Sequence, residues 1–167
     1  MASRRWSSWK LSRRWNENRR KYGYSLMAFH TQRRVEFRHT DAAGIAHFSA
    51  FLGYAEEAEH EFLRSLGLSV LLRDEQGALS WPRVSVRADF QSAVRFEDVL
   101  DIAVIVARLG AKSVTYHFQF THGDRPVATS ETAAVCCRMN PAGPPQSIAI
   151  PEWVAEKLRP HVASEVG

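Results

Sequence analysis

The stretch from Val35 to Gly67 constrains the fold most, because a short alternating segment leads through a small-residue loop into a long amphipathic segment. Residues 35–38 alternate apolar and polar, which predicts a half-buried strand. Apolar residues then recur at steps of three and four, as in a helix that buries one face: Phe48, Phe51, Leu52, Ala55, Ala58, Phe62 and Leu66. Ser49 is suited to cap this helix and Gly67 to end it.

The loop between strand and helix, Asp41-Ala42-Ala43-Gly44, places a carboxylate beside a helix start. The first backbone N–H groups of a helix lack helical partners, and the helix dipole adds positive charge there, so an oxyanion is stabilised. A carboxylate that acts as nucleophile or general base beside such donors is the minimum equipment for acyl transfer. An aspartate in a loop is also commonly a turn or capping residue, and both interpretations stay open.

Alternation and turn residues predict one strand before the loop and four after the long helix, followed by a short terminal helix. Short connections favour antiparallel pairing, and one long helix suffices to cover one face of the sheet. The sequence therefore predicts an α+β layer architecture. The predicted strands are Thr31–His39, Leu79–Gln91, Asp98–Leu109, Ser113–Phe120 and Val127–Met139, and the predicted terminal helix is Pro151–Leu158.

Length and charge divide the chain into a domain and a basic extension. The 167 residues, 45% of them hydrophobic, suit a single domain. Residues 1–25 hold eight basic side chains against Glu17 alone, a net charge of +7, so the chain's total of +4 leaves −3 for the remainder. We predict an extension over residues 1–27, a domain over residues 28–160 and a tail over residues 161–167.

The N-terminal extension is also rich in tryptophan, since Trp6, Trp9 and Trp15 alternate with arginines. Arginine neutralises phosphate and indole stacks on bases or lies at a membrane interface, so the segment could bind RNA or an anionic membrane. A targeting presequence is a further interpretation, and so is a disordered or translated upstream extension without a function of its own. Nucleic-acid binding is otherwise not expected, because the positive charge belongs to this segment and not to the domain.

The remaining composition predicts a cytoplasmic protein without a metal or organic cofactor. Cys136 and Cys137 are adjacent on a predicted strand and point to opposite faces, so no disulfide framework is expected. The seven histidines lack the spacing of a zinc site. No run of about 18 apolar residues occurs in the sequence, so no membrane span is expected.

The motif Asp41-Ala42-Ala43-Gly44-Ile45, followed by Phe48 and a helix with Glu56, resembles the signature of the hot-dog-fold acyl-CoA thioesterases. The likeness is to the 4-hydroxybenzoyl-CoA thioesterase group, extends weakly from Thr31 to Pro160, and includes the turn and strand start at Phe96–Leu100. The resemblance implies an antiparallel sheet wrapped around one long helix. It further implies hydrolysis of acyl-CoA to free acid and CoA, in homodimers or homotetramers whose active sites lie between subunits.

The resemblance also assigns roles to residues of the loop and helix. It implies that Asp41 attacks the thioester carbonyl or activates water, and that amides from Gly44 to Phe48 hold the oxyanion, with the Phe48 N–H as the main donor. His47 departs from the aromatic residue common in the group, and an imidazole there could orient Asp41 or protonate the leaving thiolate. Glu56 is a candidate for a supporting role, because a related group uses a helix glutamate as base.

Coenzyme A carries phosphates, so basic side chains are expected at the mouth of the pocket. Lys112 matches a basic position of the family that contacts CoA, and Arg108 is a neighbouring candidate. The arginine pair that precedes this lysine in the family is replaced here by Gly110-Ala111. The phosphate contacts could therefore fall to Arg108 or Arg138.

Two alternative functions stay open on the sequence alone. One is a hydratase or dehydratase that acts on acyl thioesters on the same fold, for which His47 would be the catalytic histidine. The other is a non-catalytic acyl-CoA-binding protein whose basic extension binds nucleic acid. The acyl group cannot be read from the sequence, because its aromatic candidates, Phe48, Tyr54, Trp81 and Phe90, suit either an acyl pocket or a core.

Overall fold

The computed structural model describes residues 28–163. The predictions for the basic extension at residues 1–27, and those for residues 164–167, lie outside the described residues. The elements are two helices, α1 (Ala50–Ser65) and α2 (Glu152–Leu158), and nine strands. The strands are β1 (Phe29–Arg34), β2 (Leu72–Asp74), β3 (Gly77–Ser80), β4 (Arg83–Phe90), β5 (Val99–Leu109), β6 (Ser113–His122), β7 (Arg125–Val135), β8 (Cys137–Arg138) and β9 (Gln146–Ser147).

The main sheet has five strands in the order β1-β5-β6-β7-β4, and every neighbouring pair is antiparallel. The second strand in this order, β5, is buried on both faces over Ile102–Val106, as its continuous apolar sequence predicts. The helix α1 lies on one face and packs against side chains of β5 and β6. The predicted α+β architecture, with an antiparallel sheet around one long helix, is confirmed.

The buried face of α1 follows the predicted three- and four-residue spacing. Phe51, Ala55, Ala58 and Phe62 are all buried in the core, and the Phe51 ring meets the Phe120 ring edge to face at 5.4 Å. The helix ends as predicted, because Gly67 takes a positive φ of 68° and lets the next N–H bond back to the last turn.

The predicted first strand is wrong at its C-terminal end. Pairing with β5 stops at Arg34, and residues 37–39 form a 3₁₀ turn in which the Phe37 side chain is 77% exposed. The backbone N–H groups of His39 and Thr40 bond to carbonyls within this turn. The alternation of residues 35–38 therefore marks one buried position, Val35, and not a continued strand.

Two long predicted strands each divide between two sheets. The segment Leu79–Gln91 breaks at Trp81-Pro82, because proline has no N–H to donate to a ladder, so β3 and β4 lie in different sheets. The segment Val127–Met139 also breaks, at Cys136, into β7 of the main sheet and β8 of the second sheet. A second, small sheet with the order β2-β3-β8-β9 results, which the sequence analysis did not predict.

The structure differs from the prediction at the N-cap of α1 and agrees with it at the turn before β5. Ser49 stands at the N-cap of α1 but its side chain makes no capping bond, contrary to the prediction. The turn before β5 is confirmed, and Glu97 within it adopts a positive φ of 74°. None of the helices in residues 28–163 is long and apolar enough to cross a bilayer.

The flank of α1 that faces β4 carries a buried ion pair. Glu59 is 1% exposed, and its Oε2 lies 2.8 Å from Nη2 of Arg83. Burial raises the pKa of Glu59 to about 7, while the charge and hydrogen bond of Arg83 oppose this rise. The carboxylate is therefore stable inside the fold only while Arg83 compensates its lost hydration.

Replacing this arginine tests that dependence. Arg83→Met leaves a buried carboxylate unpaired, so we expect the free energy of unfolding to fall by about 3–5 kcal/mol at pH 8. The folded-state pKa of Glu59 then rises further above its ordinary value of 4.5, so the native state takes up a proton that the unfolded state does not bind. The variant should thus regain stability as the pH is lowered from 8 to 6, as measured by urea denaturation.

The control for this prediction is the double variant Glu59→Gln/Arg83→Met. It has no buried carboxyl group at position 59, so its stability should not recover between pH 8 and pH 6. Equal destabilisation of Arg83→Met at both pH values would contradict the prediction.

Candidate active site

The Asp41 loop is closed by backbone hydrogen bonds across its base. Thr40 and Ala46 form an isolated antiparallel bridge, with the Asp41 N–H donating to the Ile45 carbonyl at 3.0 Å. Gly44 takes a φ of 70°, which an L-residue rarely adopts, and its N–H donates to the Asp41 carbonyl at 2.9 Å. The loop is therefore a defined turn between the 3₁₀ turn and α1.

The carboxylate of Asp41 is held by one of its two oxygens. Its Oδ1 accepts the Ala43 N–H at 2.8 Å, a bond that fixes the side-chain direction. The residue is exposed, and Oδ2 has no hydrogen-bond donor among residues 28–163. Asp41 thus acts as a turn residue through one oxygen, and its other oxygen has no donor within the described residues.

The amides of the loop differ in whether they are free to hold an oxyanion. The N–H groups of Gly44, Ala46 and His47 donate to the carbonyls of Asp41, Val94 and His39, respectively. In the described part of the chain no acceptor meets the N–H of Ile45 or Phe48, and Phe48 directly precedes the first turn of α1. Of the donors predicted from Gly44 to Phe48, Ile45 and Phe48 thus keep an open N–H. Phe48 lies at the positive end of the helix dipole.

His47 and Glu56 lie near the loop but do not contact Asp41. Nδ1 of His47 lies 2.8 Å from Oγ of Ser49, and its ring lies 4.3 Å from the Phe48 ring. Glu56 is exposed on α1, and its charge adds to burial in raising the pKa of Glu59. Burial lowers the pKa of His60, and the charge of Glu56 opposes that change. Within residues 28–163 no hydrogen bond joins His47 or Glu56 to Asp41, so their catalytic roles stay predictions.

His39 and Tyr54, which the sequence analysis did not select as catalytic, connect the turn before Asp41 to α1. His39 lies two residues before Asp41, and its Nδ1 is 2.8 Å from the hydroxyl of Tyr54 on α1. Tyr54 appears in the sequence only as an aromatic residue on the helix. The position of His39 beside the motif is the one sequence signal that could have drawn attention to the pair.

The basic residues predicted for CoA lie at the opposite end of the sheet from Asp41. Arg108 is near the end of β5 and Lys112 just after it, whereas the Asp41 loop contacts Val94, before β5 begins. The 11 residues of β5 span roughly 33 Å at about 3.3 Å per residue. One protomer therefore does not bring Asp41 and these cations together.

The alternative phosphate ligand, Arg138, is engaged elsewhere. Its guanidinium makes two bonds of 2.5 and 2.9 Å to the carboxylate of Asp74 and a third, of 2.9 Å, to the Gly77 carbonyl. Arg108 and Lys112 are exposed and form no ion pair within the described residues. Of the three basic residues proposed from the sequence for the CoA phosphates, Arg108 and Lys112 therefore have no ion-pair partner within residues 28–163, whereas Arg138 has one.

Two surface cavities formed by the described residues lie away from Asp41. One, of about 430 Å³, lies beside Gly110-Ala111, at the Lys112 end of the sheet. The other, of about 540 Å³, lies between the end of β4 and the β6–β7 hairpin. Asp41 does not line either of these two cavities.

The helix wrapped by an antiparallel sheet, with a carboxylate and an open amide at the helix start, defines a hot-dog protein of the thioesterase type. The model of the Thioesterase-like superfamily matches residues 35–158. The chain belongs to this superfamily and is a thioester hydrolase.

The chain is similar to a 1,4-dihydroxy-2-naphthoyl-CoA hydrolase of Synechococcus elongatus. It is 29% identical over 106 residues, which cover 63% of this chain and 78% of the relative. A putative esterase of Aquifex aeolicus is 30% identical over 133 residues, covering 80% of this chain and 99% of the relative.

Solved structures share the fold. A 1,4-dihydroxy-2-naphthoyl-CoA thioesterase from Synechocystis superposes with a TM-score of 0.69 at 22% identity, covering 79% of this chain and 96% of the other. A 4-hydroxybenzoyl-CoA thioesterase mutant in complex with 4-hydroxybenzoyl-CoA superposes with a TM-score of 0.68 at 20% identity, covering 79% and 99%. A gentisyl-coenzyme A thioesterase gives a TM-score of 0.67 at 25% identity, covering 78% and 99%.

Proposed function

We propose that this protein hydrolyses acyl-CoA thioesters with Asp41 as the reacting carboxylate and the Phe48 N–H as the principal oxyanion donor. The observation that carries the proposal is that the loop holds Asp41 through one oxygen and leaves the other open, while the Phe48 amide at the helix start has no acceptor within residues 28–163. These are the two groups that acyl transfer requires. His47 and Glu56 are secondary candidates in the same region.

Two routes use this geometry, and they differ in which oxygen attacks the thioester carbon. Oδ2 of Asp41 either attacks the thioester carbon, expelling CoA thiolate to leave an anhydride that water cleaves, or takes a proton from a water that attacks instead. In both routes negative charge develops on the carbonyl oxygen, and the Phe48 N–H and the dipole of α1 stabilise it. The products are a free acid and CoA.

For the acyl group we propose a hydroxylated aromatic ring. The named relatives act on 1,4-dihydroxy-2-naphthoyl, gentisyl and 4-hydroxybenzoyl thioesters. In this chain Phe48 is 62% exposed beside the open amide, and Phe90 is half exposed and meets Phe51 at 5.3 Å. These rings are suited to pack against a planar acyl group.

Removing the charge of Asp41 tests the assignment. Asp41→Asn keeps the acceptor for the Ala43 N–H but loses the nucleophile or base, so we expect thiol release to fall by at least about 1,000-fold. The assay follows free thiol with benzoyl, hydroxybenzoyl, naphthoyl and straight-chain CoA thioesters. Asp124→Asn, on the exposed β6–β7 hairpin, is the matched control and should retain full activity.

The same panel separates hydrolysis from the competing hydratase chemistry. Absorbance of a new double bond that persists in Asp41→Asn but disappears in His47→Ala would overturn the proposal in favour of a hydratase or dehydratase. No turnover at all in the wild-type protein, with acyl-CoA still bound, would favour the binding-protein alternative.

We further propose that two copies pair through β4 to complete the site. β4 is the last strand of the main sheet, so one of its edges is unpaired in the described residues. Three large apolar side chains are exposed on it: Val84 (64%), Val86 (49%) and Phe90 (50%). An open apolar edge strand is a template for pairing with a second chain.

A two-fold pairing of β4 places the Phe90 end of one strand against the Arg83 end of the other. Across the sheet, Arg83 is in register with Ala134 of β7, and Ala134 with Val114 of β6, two residues after Lys112. Lys112 of the partner subunit is thereby brought to the end of the dimer that holds Asp41. This pairing would unite the carboxylate and the cation that one protomer keeps apart.

A charge on the edge strand should separate the two copies. We expect Val86→Lys to be monomeric at concentrations at which the wild-type protein is dimeric. Thiol release should fall by at least about tenfold, because each active site loses the residues that the partner subunit supplies. Light scattering at several protein concentrations measures the shift. Leu71→Lys, an equally apolar exposed position away from β4, is the control; a fully active wild-type monomer would contradict the pairing.

The proposed contact of Lys112 with the CoA phosphates predicts a substrate-dependent effect. Lys112→Ala should raise KM for a CoA thioester by about tenfold, since one charge-assisted contact is lost, with little change in kcat. KM for the matching N-acetylcysteamine thioester, which lacks phosphates, should not change. Arg73→Gln removes an exposed cation elsewhere as a control; equal effects on both substrates would contradict the contact.

The cytoplasmic location predicted from the sequence also remains a proposal. The two cysteines, Cys136 and Cys137, are both free and buried, which agrees with a reducing compartment.

A further inference from the structure

A buried side-chain contact ties the turn before Asp41 to the long helix. The hydroxyl of Tyr54 lies 2.8 Å from Nδ1 of His39, and the two rings meet edge to face at 5.1 Å and 85°. Tyr54 is 2% exposed, so its ring is fixed by the core. The contact therefore fixes the position of His39 relative to the first turns of α1.

The main chain of His39 reaches the other side of the same loop. Its carbonyl accepts the His47 N–H at 2.8 Å, and the His47 carbonyl accepts the Ala50 N–H at 3.0 Å. The Phe48 amide lies between these two bonded residues. One residue is thus anchored to α1 by its side chain and to the oxyanion loop by its carbonyl.

Both ring nitrogens of His39 have hydrogen-bonding neighbours. The Glu36 N–H lies 3.2 Å from Nδ1 of His39, and the Arg38 Nε–H lies 3.2 Å from Nε2. Nδ1 is thus within hydrogen-bond distance of both the Glu36 N–H and the Tyr54 hydroxyl. The residue of α1 that faces His39 is Tyr54. Burial raises the pKa of Tyr54 to about 12, and the charges of Glu57 and Glu36 add to the rise. The side chain that contacts His39 is therefore a neutral phenol.

We propose that His39 and Tyr54 are positioning residues for thioester hydrolysis, which hold the Phe48 N–H and Asp41 in place without touching the thioester. The inference rests on the function proposed above and extends it to residues outside the family motif of the loop. Its physical basis is the sensitivity of catalysis to geometry, because a displacement of about 1 Å can cost about 100-fold in rate. The bond between His39 and Tyr54 is the side-chain link between the 3₁₀ turn and α1.

The decisive variant is Tyr54→Phe, which removes the hydroxyl and keeps the packed ring. We expect kcat to fall between about tenfold and 100-fold with KM unchanged, because substrate contacts are intact while the donor and carboxylate are less well placed. Tyr116→Phe removes another buried tyrosine hydroxyl, in the core beneath α1, and should leave kcat at the wild-type value. Thermal unfolding of both variants verifies that they are folded.

Variants of His39 supply a second readout. His39→Ala should lose kcat as Tyr54→Phe does, and combining the two changes should cost little more than either alone. His39→Asn places an amide near the position of Nδ1, so we expect it to restore most of the rate.

The outcomes separate this inference from the function on which it rests. Wild-type kcat in Tyr54→Phe, together with an inactive Asp41→Asn, would overturn the positioning role and leave the hydrolytic function standing. A change in KM without a change in kcat would also overturn it. Absence of thiol release from the wild-type protein across the acyl-CoA panel would overturn both.

Discussion

The rest of the site depends on the backbone hydrogen bonds that close the loop between Thr40 and Ala46. The backbone bonds in and around this loop engage the N–H groups of Gly44, Ala46 and His47, and within the described residues they leave those of Ile45 and Phe48 open. The carbonyl of His39 accepts the His47 N–H and so lies against the loop. The same few contacts therefore decide which amide can meet an oxyanion and where the carboxylate stands relative to it.

The helix α1 serves this loop in two ways. Its start supplies the dipole and the open amide, while its buried stripe fixes it on the sheet through aromatic contacts such as that of Phe51 with Phe120. Its two flanks differ in chemistry. One flank binds β1 through ion pairs of Arg33 with Glu57 and Glu61, and the other holds the buried pair of Glu59 with Arg83 next to the open edge strand.

The sheet separates the parts that a thioesterase for CoA substrates must combine. Asp41 is at one end of β5, and the free cations Arg108 and Lys112 are at the other. An antiparallel two-fold pairing across β4 reverses one copy relative to its partner, so it offers a simple way to join the two ends. The exposed apolar side chains of β4 have no other evident use within the described protomer.

The sequence by itself determined the long helix, its end at Gly67, the continuously apolar strand β5 and the loop that carries Asp41. Each of these follows from local periodicity or from a residue whose backbone freedom is decisive, so no distant contact was needed to predict it. The family resemblance added the hot-dog arrangement and the assignment of Asp41 and Phe48.

Only the tertiary structure decided where strands stop and which groups are free. Local alternation continues through Trp81-Pro82 and Phe37–His39, but it does not show which strands lie beside these residues. It therefore did not reveal that β3 and β4 lie in different sheets or that pairing with β5 stops at Arg34. The same holds for the pairing of Tyr54 with His39, the engagement of Arg138 by Asp74, and the distance between Asp41 and Lys112. Sequence specifies which chemical groups are present, whereas hydrogen bonds between distant residues determine which of them remain available to a substrate.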